Sequence, residues 1–280
     1  MPSLVLTAPA KLNLYLEVLG RRADGFHDLE MVFQTLTLAD VVEVTWEPGG
    51  MGTVCTCDDP TLPTGTGNLA WRAAEAFRVA AGLTGGLRVA VTKRIPHGAG
   101  LGGGSSDAAS VLLALQRLTG APLAESQLAQ VALDLGSDVP FFLMGGTAHA
   151  RGRGEILTAL PPVVTSTLTV VMPPVVLPTP RVFSAMTDQE RGPRPLRGAA
   201  WATQALQDLP SLLFNRLSDP AVRCCPEVGQ VLEHLGRQGF PCLMSGSGAA
   251  CFALGPVAVP PGWRSWTTTT GPGAGVALPS

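Results

Sequence analysis

The sequence predicts an α+β protein with two lobes, residues 1–152 and residues 153–280, from three observations. Hydrophobic residues make up 46% of the 280 and charged residues only 14%, so the chain can bury a large core. Its 33 glycines and 25 prolines interrupt long helices, which excludes coiled coils and helical bundles. Strand-like and helix-like segments follow one another in mixed order, as they do in α+β proteins.

The first predicted element is a strand over residues 4–18. Polar and apolar residues alternate from Lys11 onward, which places Lys11, Asn13, Tyr15 and Glu17 on one face of the strand. Lys11 and Asn13 would then project in the same direction, about 7 Å apart along the strand.

A polar turn over residues 20–28 follows and leads into two predicted strands, MVFQTLTL and DVVEVTW. Residues 68–81 have the periodicity of an amphipathic helix, and Asn68 belongs to the residue types that cap helix N-termini. The segment LRVAVTKRI then predicts another strand.

The later elements follow from the same patterns. Helices are predicted over residues 105–118, 125–135, 201–209 and 227–238. Further strands are predicted in TSTLTVVM, CLMSGSG and AACFALG, of which the last two form a pair.

Composition restricts the class of function. A net charge of −2 argues against a dedicated nucleic-acid-binding protein. The N-terminal stretch lacks the basic region of a signal peptide, and glycines and prolines interrupt the uncharged segment 238–263, so no membrane-spanning helix is expected. The six cysteines match no common zinc-binding spacing and are expected to be small buried residues. We therefore expect a cytoplasmic protein without contact to nucleic acid or membrane.

A glycine-rich loop is the most distinctive motif of the chain. Five glycines fall within seven positions, from Gly98 to Gly104, between a predicted strand and a predicted helix. Glycine lets the backbone approach a bulky anion, which successive amide groups and the helix N-terminus can then hold. The loop predicts a site for a di- or triphosphate formed by Pro96, His97, Gly98, Ala99, Gly100, Leu101, Gly102, Gly103, Gly104, Ser105 and Ser106.

Other interpretations of this loop fit the sequence less well. A Walker A loop needs Gly-Lys-[Ser/Thr], but the two lysines of the chain, Lys11 and Lys93, follow Ala10 and Thr92. The dinucleotide pattern G-x-G-x-x-G is present, yet the acidic residue in the expected window, Glu125, starts a predicted helix instead of ending a strand. A nicotinamide-binding loop and a plain glycine linker stay open as alternatives.

Three ordered motifs resemble those of the GHMP kinase superfamily. P-A-K-L-N-L at 9–14 resembles its first motif, the glycine loop at 96–106 its second, and M-S-G-S-G-A-A-C at 244–251 its third. R-A-D-G-F-H at 22–27 and L-G-S-D-V-P-F-F at 135–142 are similar to the 4-diphosphocytidyl-2-C-methyl-D-erythritol kinases within that superfamily.

This resemblance implies transfer of the γ-phosphoryl group of ATP, with Mg²⁺, to the 2-hydroxyl of a methylerythritol attached to CDP. The active site would lie in a cleft between an N-terminal α/β lobe and a C-terminal α+β lobe. The resemblance assigns Asp138 as the general base for the alcohol and Lys11 as the cation that stabilises charge. The residues that it implies for binding this CDP-methylerythritol substrate are Asn13, Phe26, His27, Thr179 and Phe183. The expected assembly is a monomer or a homodimer.

The same resemblance leaves some details open. Phe26 stands where the family commonly has tyrosine, so stacking on a base is retained but a hydroxyl contact is lost. No protein ligand for Mg²⁺ is assigned, although Ser106 can contribute through the phosphates, and Asp107 is expected to be a helix-terminus residue. Two alternatives remain, a kinase of another small alcohol such as homoserine or mevalonate and a non-catalytic nucleotide-binding protein.

Overall fold

The structure combines two β-sheets with α-helices, which confirms the predicted α+β class. The computed structural model describes residues 1–120, 123–163, 167–191, 201 and 209–271. The strands are β1 (Ser3–Arg21), β2 (His27–Glu47), β3 (Thr53–Cys57), β4 (Gly86–Thr92), β5 (Thr147–Gly152), β6 (Ile156–Ala159), β7 (Leu168–Met172), β8 (Phe214–Asn215), β9 (Cys242–Met244), β10 (Cys251–Ala253) and β11 (Arg264–Thr268). The helices are α1 (Leu69–Ala80), α2 (Gly103–Leu118), α3 (Glu125–Leu135), α4 (Val139–Met144), α5 (Thr179–Ser184), α6 (Leu209–Leu212), α7 (Ser218–Cys224) and α8 (Pro226–Arg237), with a 3₁₀ turn at Asp188–Glu190.

The larger sheet has seven strands and the smaller has four. The larger sheet runs in the order β3-β4-β2-β1-β8, with β5 paired to β2 and β6 to β5. The smaller sheet runs in the order β11-β7-β10-β9, and its pairs are antiparallel. Helix α2 packs across β1 and β2, so the glycine loop before it lies at the edge of the central strand pair.

Strand β2 is one long strand, and the prediction of two separate strands in this segment was wrong. Its first part pairs with β5 and its last part with β4, while β1 runs along its whole length. Asp40 lies in the middle and does not end the strand, because its buried carboxylate accepts hydrogen bonds from the backbone N–H groups of Arg94 (2.5 Å) and Ile95 (2.8 Å).

Strand β1 departs from the predicted alternation at a β-bulge. Its register with β2 shifts between Asn13 and Tyr15. A bulge adds one residue to one strand of the pair and turns the following side chains to the opposite face. Tyr15 therefore joins Leu12 and Leu14 in one buried cluster instead of sharing the face of Lys11 and Asn13.

The helices of the first half follow their predictions closely. Asn68 caps α1, because its side-chain oxygen accepts a hydrogen bond from the Ala70 N–H at 2.9 Å. Helix α3 has its predicted bounds. Helix α2 begins at Gly103, two residues before its predicted start, because Gly102 turns the chain with a φ of 73° and the helix then includes the last two glycines of the loop.

The buried cluster that contains Tyr15 joins the two sheets. It includes Leu12 and Val32 of the larger sheet and Val170 and Phe252 of the smaller one. Strand β6 pairs with β5 and β8 with β1, so the chain beyond residue 152 also adds strands to the larger sheet. The division into lobes of residues 1–152 and 153–280 stays a prediction.

Most of the remaining sequence predictions for the second half are confirmed. The predicted strands correspond to β7, β9 and β10, and the predicted helix over 227–238 corresponds to α8. The helix predicted over 201–209 falls largely outside the described residues. Within the described part of the chain, every helix is too short or too polar to cross a lipid bilayer.

Candidate active site

The three motifs, far apart in the sequence, meet in one place. The Lys11 N–H on β1 donates a hydrogen bond to the Leu101 carbonyl of the glycine loop (2.9 Å), and the Ala250 N–H donates to the Ala99 carbonyl (3.2 Å). These backbone bonds fix the glycine loop between the first strand and the loop that joins β9 to β10.

Glycine is required in this loop for two reasons. Gly98, Gly100 and Gly102 have φ values of 67°, 76° and 73°, a region that other residues rarely adopt. A Cβ atom at Gly100 would lie 2.5 Å from the carbonyl oxygen of Ser245, and one at Gly102 would lie 2.7 Å from the ring of Phe142. The loop is therefore packed too closely against its neighbours for a side chain at either position.

The predicted catalytic pair is brought together by the fold. Lys11 Nζ lies 3.7 Å from Asp138 Oδ2 and donates a hydrogen bond to Asn13 Oδ1 at 2.5 Å, so Lys11 and Asn13 share a face as predicted. The Lys11 side chain is 6% exposed and that of Asp138 is 33% exposed. Asp138 precedes α4 but its carboxylate makes no capping hydrogen bond to that helix, whose residues are all described. The carboxylate of Asp138 therefore faces Lys11 and the cavity and is not used to cap the helix.

Burial also changes the protonation of this pair. Desolvation lowers the pKa of the Lys11 ammonium below its ordinary value, and the charge and hydrogen bond of Asp138 raise it part of the way back. The positive charge of Lys11 therefore depends on the carboxylate beside it, and the two side chains act as one electrostatic unit.

A cavity of about 740 Å³ opens beside the pair. It is lined by every residue that was predicted to act on the acceptor substrate, namely Lys11, Asn13, Phe26, His27, Asp138, Thr179 and Phe183. The structure therefore places all seven in one cavity.

The aromatic residues of this cavity contact each other and one arginine. The rings of His27 and Phe183 are stacked, with centroids 4.6 Å apart and an angle of 24° between their planes. Phe26 is half exposed, and the guanidinium of Arg153 lies 4.4 Å from its ring centre. Burial lowers the pKa of His27, and the charges of Arg191 and Arg21 lower it further, so the neutral imidazole is favoured.

A second, smaller cavity of about 290 Å³ lies on the other side of the glycine loop. Residues 96–105 line it, as predicted for a phosphate site, whereas Ser106 is fully buried behind them. The two cavities share Gly100 and Gly102, and a Cβ at Gly102 would lie 3.1 Å from Cγ of Lys11. The Lys11–Asp138 pair therefore lies in the larger cavity, beside the glycines that the two cavities share.

Several residues of the site were missed at the sequence level. Arg153, Arg191 and Ser247 line the larger cavity, and the Ser247 hydroxyl is 2.7 Å from that of Thr179. Asp107, expected at a helix terminus, is instead buried beside the second lysine of the chain, Lys93. No pattern in the sequence indicated that Lys93 and Asp107 would meet.

Family models match both halves of the chain. The model of the GHMP kinases N terminal domain matches residues 68–146, and the GHMP kinases C terminal model matches residues 199–262. A 4-diphosphocytidyl-2-C-methyl-D-erythritol kinase of Geobacter metallireducens is 42% identical over 260 residues, which cover 91% of this chain and 90% of the relative.

Two further comparisons agree with this match. A 4-diphosphocytidyl-2-C-methyl-D-erythritol kinase of Thermus thermophilus is 46% identical over 253 residues, covering 88% of this chain and 86% of the relative. A crystal structure of 4-(cytidine 5'-diphospho)-2C-methyl-D-erythritol kinase has a TM-score of 0.76 and 40% identity, covering 97% of this chain and 99% of that one. The chain therefore belongs to the 4-diphosphocytidyl-2-C-methyl-D-erythritol kinase family of the GHMP kinases.

Proposed function

We propose that this chain transfers the γ-phosphoryl group of ATP to the 2-hydroxyl of 4-diphosphocytidyl-2-C-methyl-D-erythritol. The observation that carries the proposal is the junction of two cavities at Gly100 and Gly102, with the Lys11–Asp138 pair beside it. A phosphoryl donor in the smaller cavity and an alcohol in the larger one would meet at this junction, which is what a kinase needs.

Asp138 is the general base of the proposed reaction. The attacking hydroxyl transfers its proton to the Asp138 carboxylate as its oxygen bonds to the γ-phosphorus, and the bond from that phosphorus to the leaving ADP oxygen breaks. Lys11 offsets the negative charge on the migrating group, and Asn13, which accepts the hydrogen bond of Lys11, fixes the direction of the ammonium. The amide groups of the glycine loop hold the other phosphates.

Mg²⁺ is proposed as the second cofactor, bound mainly through the phosphates of ATP. Among the described residues no group of three or more His, Cys, Asp or Glu side chains could hold a metal. Mg²⁺ usually takes only one or two protein ligands and otherwise phosphate oxygens and water. Ser106 fits that role, because its buried Oγ has no hydrogen-bond partner among the described residues and it lies in the first turn of α2. When bound, the ion neutralises charge on the phosphates.

The cytidine end of the acceptor is assigned to the aromatic wall of the larger cavity. The stacked rings of Phe183 and His27 line the larger cavity, and His27 Nε2 has no hydrogen-bond partner among the described residues, so it is assigned to the pyrimidine edge. Thr179 lies one helical turn before Phe183 and is assigned to the substrate between the base and the sugar alcohol. The cytoplasmic location and the assembly as monomer or homodimer stay predictions.

A phosphoryl-transfer assay with γ-labelled ATP tests the proposal. The panel of acceptors should contain 4-diphosphocytidyl-2-C-methyl-D-erythritol, the same alcohol without its cytidine, homoserine and mevalonate. We expect label to appear only in the first acceptor at micromolar concentrations. Transfer to homoserine or mevalonate with similar efficiency would assign another substrate, and ATP binding without transfer to any acceptor would indicate a non-catalytic nucleotide-binding protein.

A further inference from the structure

A buried cluster of three charged side chains lies under the glycine loop and is not part of the proposed chemistry. Lys93 Nζ donates hydrogen bonds to Asp40 Oδ2 at 2.5 Å and to Asp107 Oδ2 at 2.7 Å. The side chains of Lys93, Asp40 and Asp107 are 9%, 0% and 7% exposed. Removing charged groups from water costs free energy, and this cost offsets much of their mutual attraction. A contribution to stability therefore does not by itself explain such a cluster.

The cluster connects the two ends of the glycine loop. At the N-terminal end, the second oxygen of Asp40 accepts hydrogen bonds from the backbone N–H groups of Arg94 and Ile95, the last residues before the loop. At the C-terminal end, Asp107 belongs to the second turn of α2, which continues from the loop. Lys93 is the side chain that joins these two anchors.

The backbone of the loop also rests on this cluster. A Cβ atom at Gly103, the first residue of α2, would lie 3.3 Å from Lys93 Nζ and 3.1 Å from Cγ2 of Ile95. Lys93 and Asp107 both line the smaller cavity, so the cluster forms its floor. A shift of α2 relative to the strand end would therefore change the spacing of the loop amides that face the cavity.

We propose that Lys93 and Asp107 are positioning residues for nucleotide binding, which act as one bridge, the hydrogen bond from Lys93 Nζ to Asp107 Oδ2, that sets the width of the glycine loop. This inference rests on the proposed binding of ATP by that loop. Amide groups hold a phosphate only when several of them converge, and displacements near 1 Å can lower catalysis about 100-fold. The bridge keeps them converged by holding α2 against the end of β4.

The variant Asp107→Ala breaks the bridge in the least disruptive way. It removes the contact to α2 but leaves Lys93 neutralised by Asp40, and alanine favours the helix, so the protein is expected to fold. We expect Asp107→Ala and Lys93→Met each to raise the Kd of ATP about tenfold or more, measured by calorimetry without acceptor. The KM of the acceptor should change by less than about threefold, because the larger cavity does not touch the bridge.

Two further variants test whether the loss of ATP affinity comes from the broken bridge or simply from the loss of a buried charge. Asp107→Asn keeps a side-chain oxygen that can accept the hydrogen bond from Lys93, so this variant should retain most of the affinity for ATP. Glu17→Gln breaks another buried ion pair, Glu17 Oε1 with Arg216 Nε at 2.7 Å, and should leave the Kd of ATP unchanged. In the double variant Lys93→Met/Asp107→Ala the loss should equal that of the single variants, because both break the same bridge.

The outcomes distinguish this inference from the proposed function. If the wild-type protein binds no ATP, the proposed function fails first. If the wild type binds ATP and folded Asp107→Ala binds it equally well, the bridge has no part in nucleotide binding. Additive losses in the double variant would also overturn the inference, since Lys93 and Asp107 would then contact the nucleotide independently.

Discussion

At the scale of single residues, the proposed phosphoryl transfer depends on the pair formed by Lys11 and Asp138. A buried ammonium is stable only beside a counter-charge, and a carboxylate that is to accept a proton must not be fully engaged by other donors. The structure meets both conditions, because Lys11 is nearly buried and Asp138 is one-third exposed toward the cavity. This difference in exposure supports the proposal that Asp138 is the base and Lys11 the charge-stabilising cation.

Replacing the base tests this assignment directly. Asp138→Asn keeps the shape of the side chain but cannot accept the proton, so we expect kcat to fall by about 100-fold to 10,000-fold. The Kd of ATP, measured without acceptor, should stay within about threefold of the wild-type value because the carboxylate does not line the smaller cavity. Near-normal turnover in this variant would remove Asp138 from the role of base.

The aromatic wall gives a second prediction for a single residue. Phe183→Ala removes the ring that stacks on His27, and loss of one stacked base contact is worth about 1–3 kcal/mol. We expect the KM of the cytidine acceptor to rise about tenfold or more while the KM of ATP is unchanged. Phe183→Tyr keeps the ring and serves as the control. Equal changes in both KM values would show that Phe183 only supports the fold.

Sequence reasoning identified residues with a recognisable motif and missed those defined by packing. Lys11 and the glycine loop belong to local patterns that a single sequence displays. The buried cluster of Lys93, Asp40 and Asp107 does not, because Asp40 and Lys93 are 53 positions apart and Lys93 lies just after the end of a strand. Neither periodicity nor spacing indicates which distant carboxylate a lysine will meet.

Among whole elements, β2 shows where pattern reasoning stops. The sequence predicted two strands here, MVFQTLTL and DVVEVTW, whereas one strand continues through Asp40, whose buried carboxylate accepts hydrogen bonds from the backbone of Arg94 and Ile95. The bulge in β1 is another example, since only pairing with β2 shows that Tyr15 has changed faces. By contrast, α1 and α3 carry local caps or clear periodicity and were predicted with nearly correct ends.

The glycine loop is the element whose backbone can be tested most sharply. Gly100→Ala places a Cβ 2.5 Å from the carbonyl of Ser245 at a φ of 76°, so the loop must move or bear strain of about 1–2 kcal/mol or more. We expect kcat/KM for ATP to fall at least about tenfold.

The matched control for this loop variant is Gly236→Ala near the end of α8. A Cβ at that position meets no atom within 4 Å, and alanine favours a helix. Gly236→Ala should therefore keep full activity and be as stable as the wild type or more so. Full activity in Gly100→Ala would contradict the tight packing between the second and third motifs.

At the scale of the whole molecule, the site depends on contacts between distant parts of the chain. The larger cavity is lined by β1, the loop before β2, α5 and the loop between β9 and β10, which lie on both sides of residue 152. The class of fold was predictable because both kinds of periodicity are present in the sequence. The shape of the cavity was not predictable, since its lining comes from segments that are far apart in the sequence.

The buried cluster under the glycine loop also links global stability to pH. Burial is the main reason that the pKa of the Asp107 carboxyl group is raised to about 7. The positive charge of Lys93 lowers this pKa, and the negative charge of Asp40 raises it. The thiols of Cys55 and Cys57 are the other titratable groups that interact with this carboxylate, and burial raises the pKa of both. They are therefore neutral over the range in which Asp107 titrates.

The proton on Asp107 makes the free energy of unfolding depend on pH. Between about pH 4 and pH 7 Asp107 keeps its proton in the folded protein but releases it in the unfolded chain. The free energy of unfolding therefore falls as the pH rises, by at most about 1.4 kcal/mol per pH unit. Asp107→Asn removes this dependence. In urea titrations the variant should gain stability over the wild type from pH 4 to pH 7, and the difference should then stay constant. A difference that is equal at every pH would mean that the Asp107 carboxylate titrates normally.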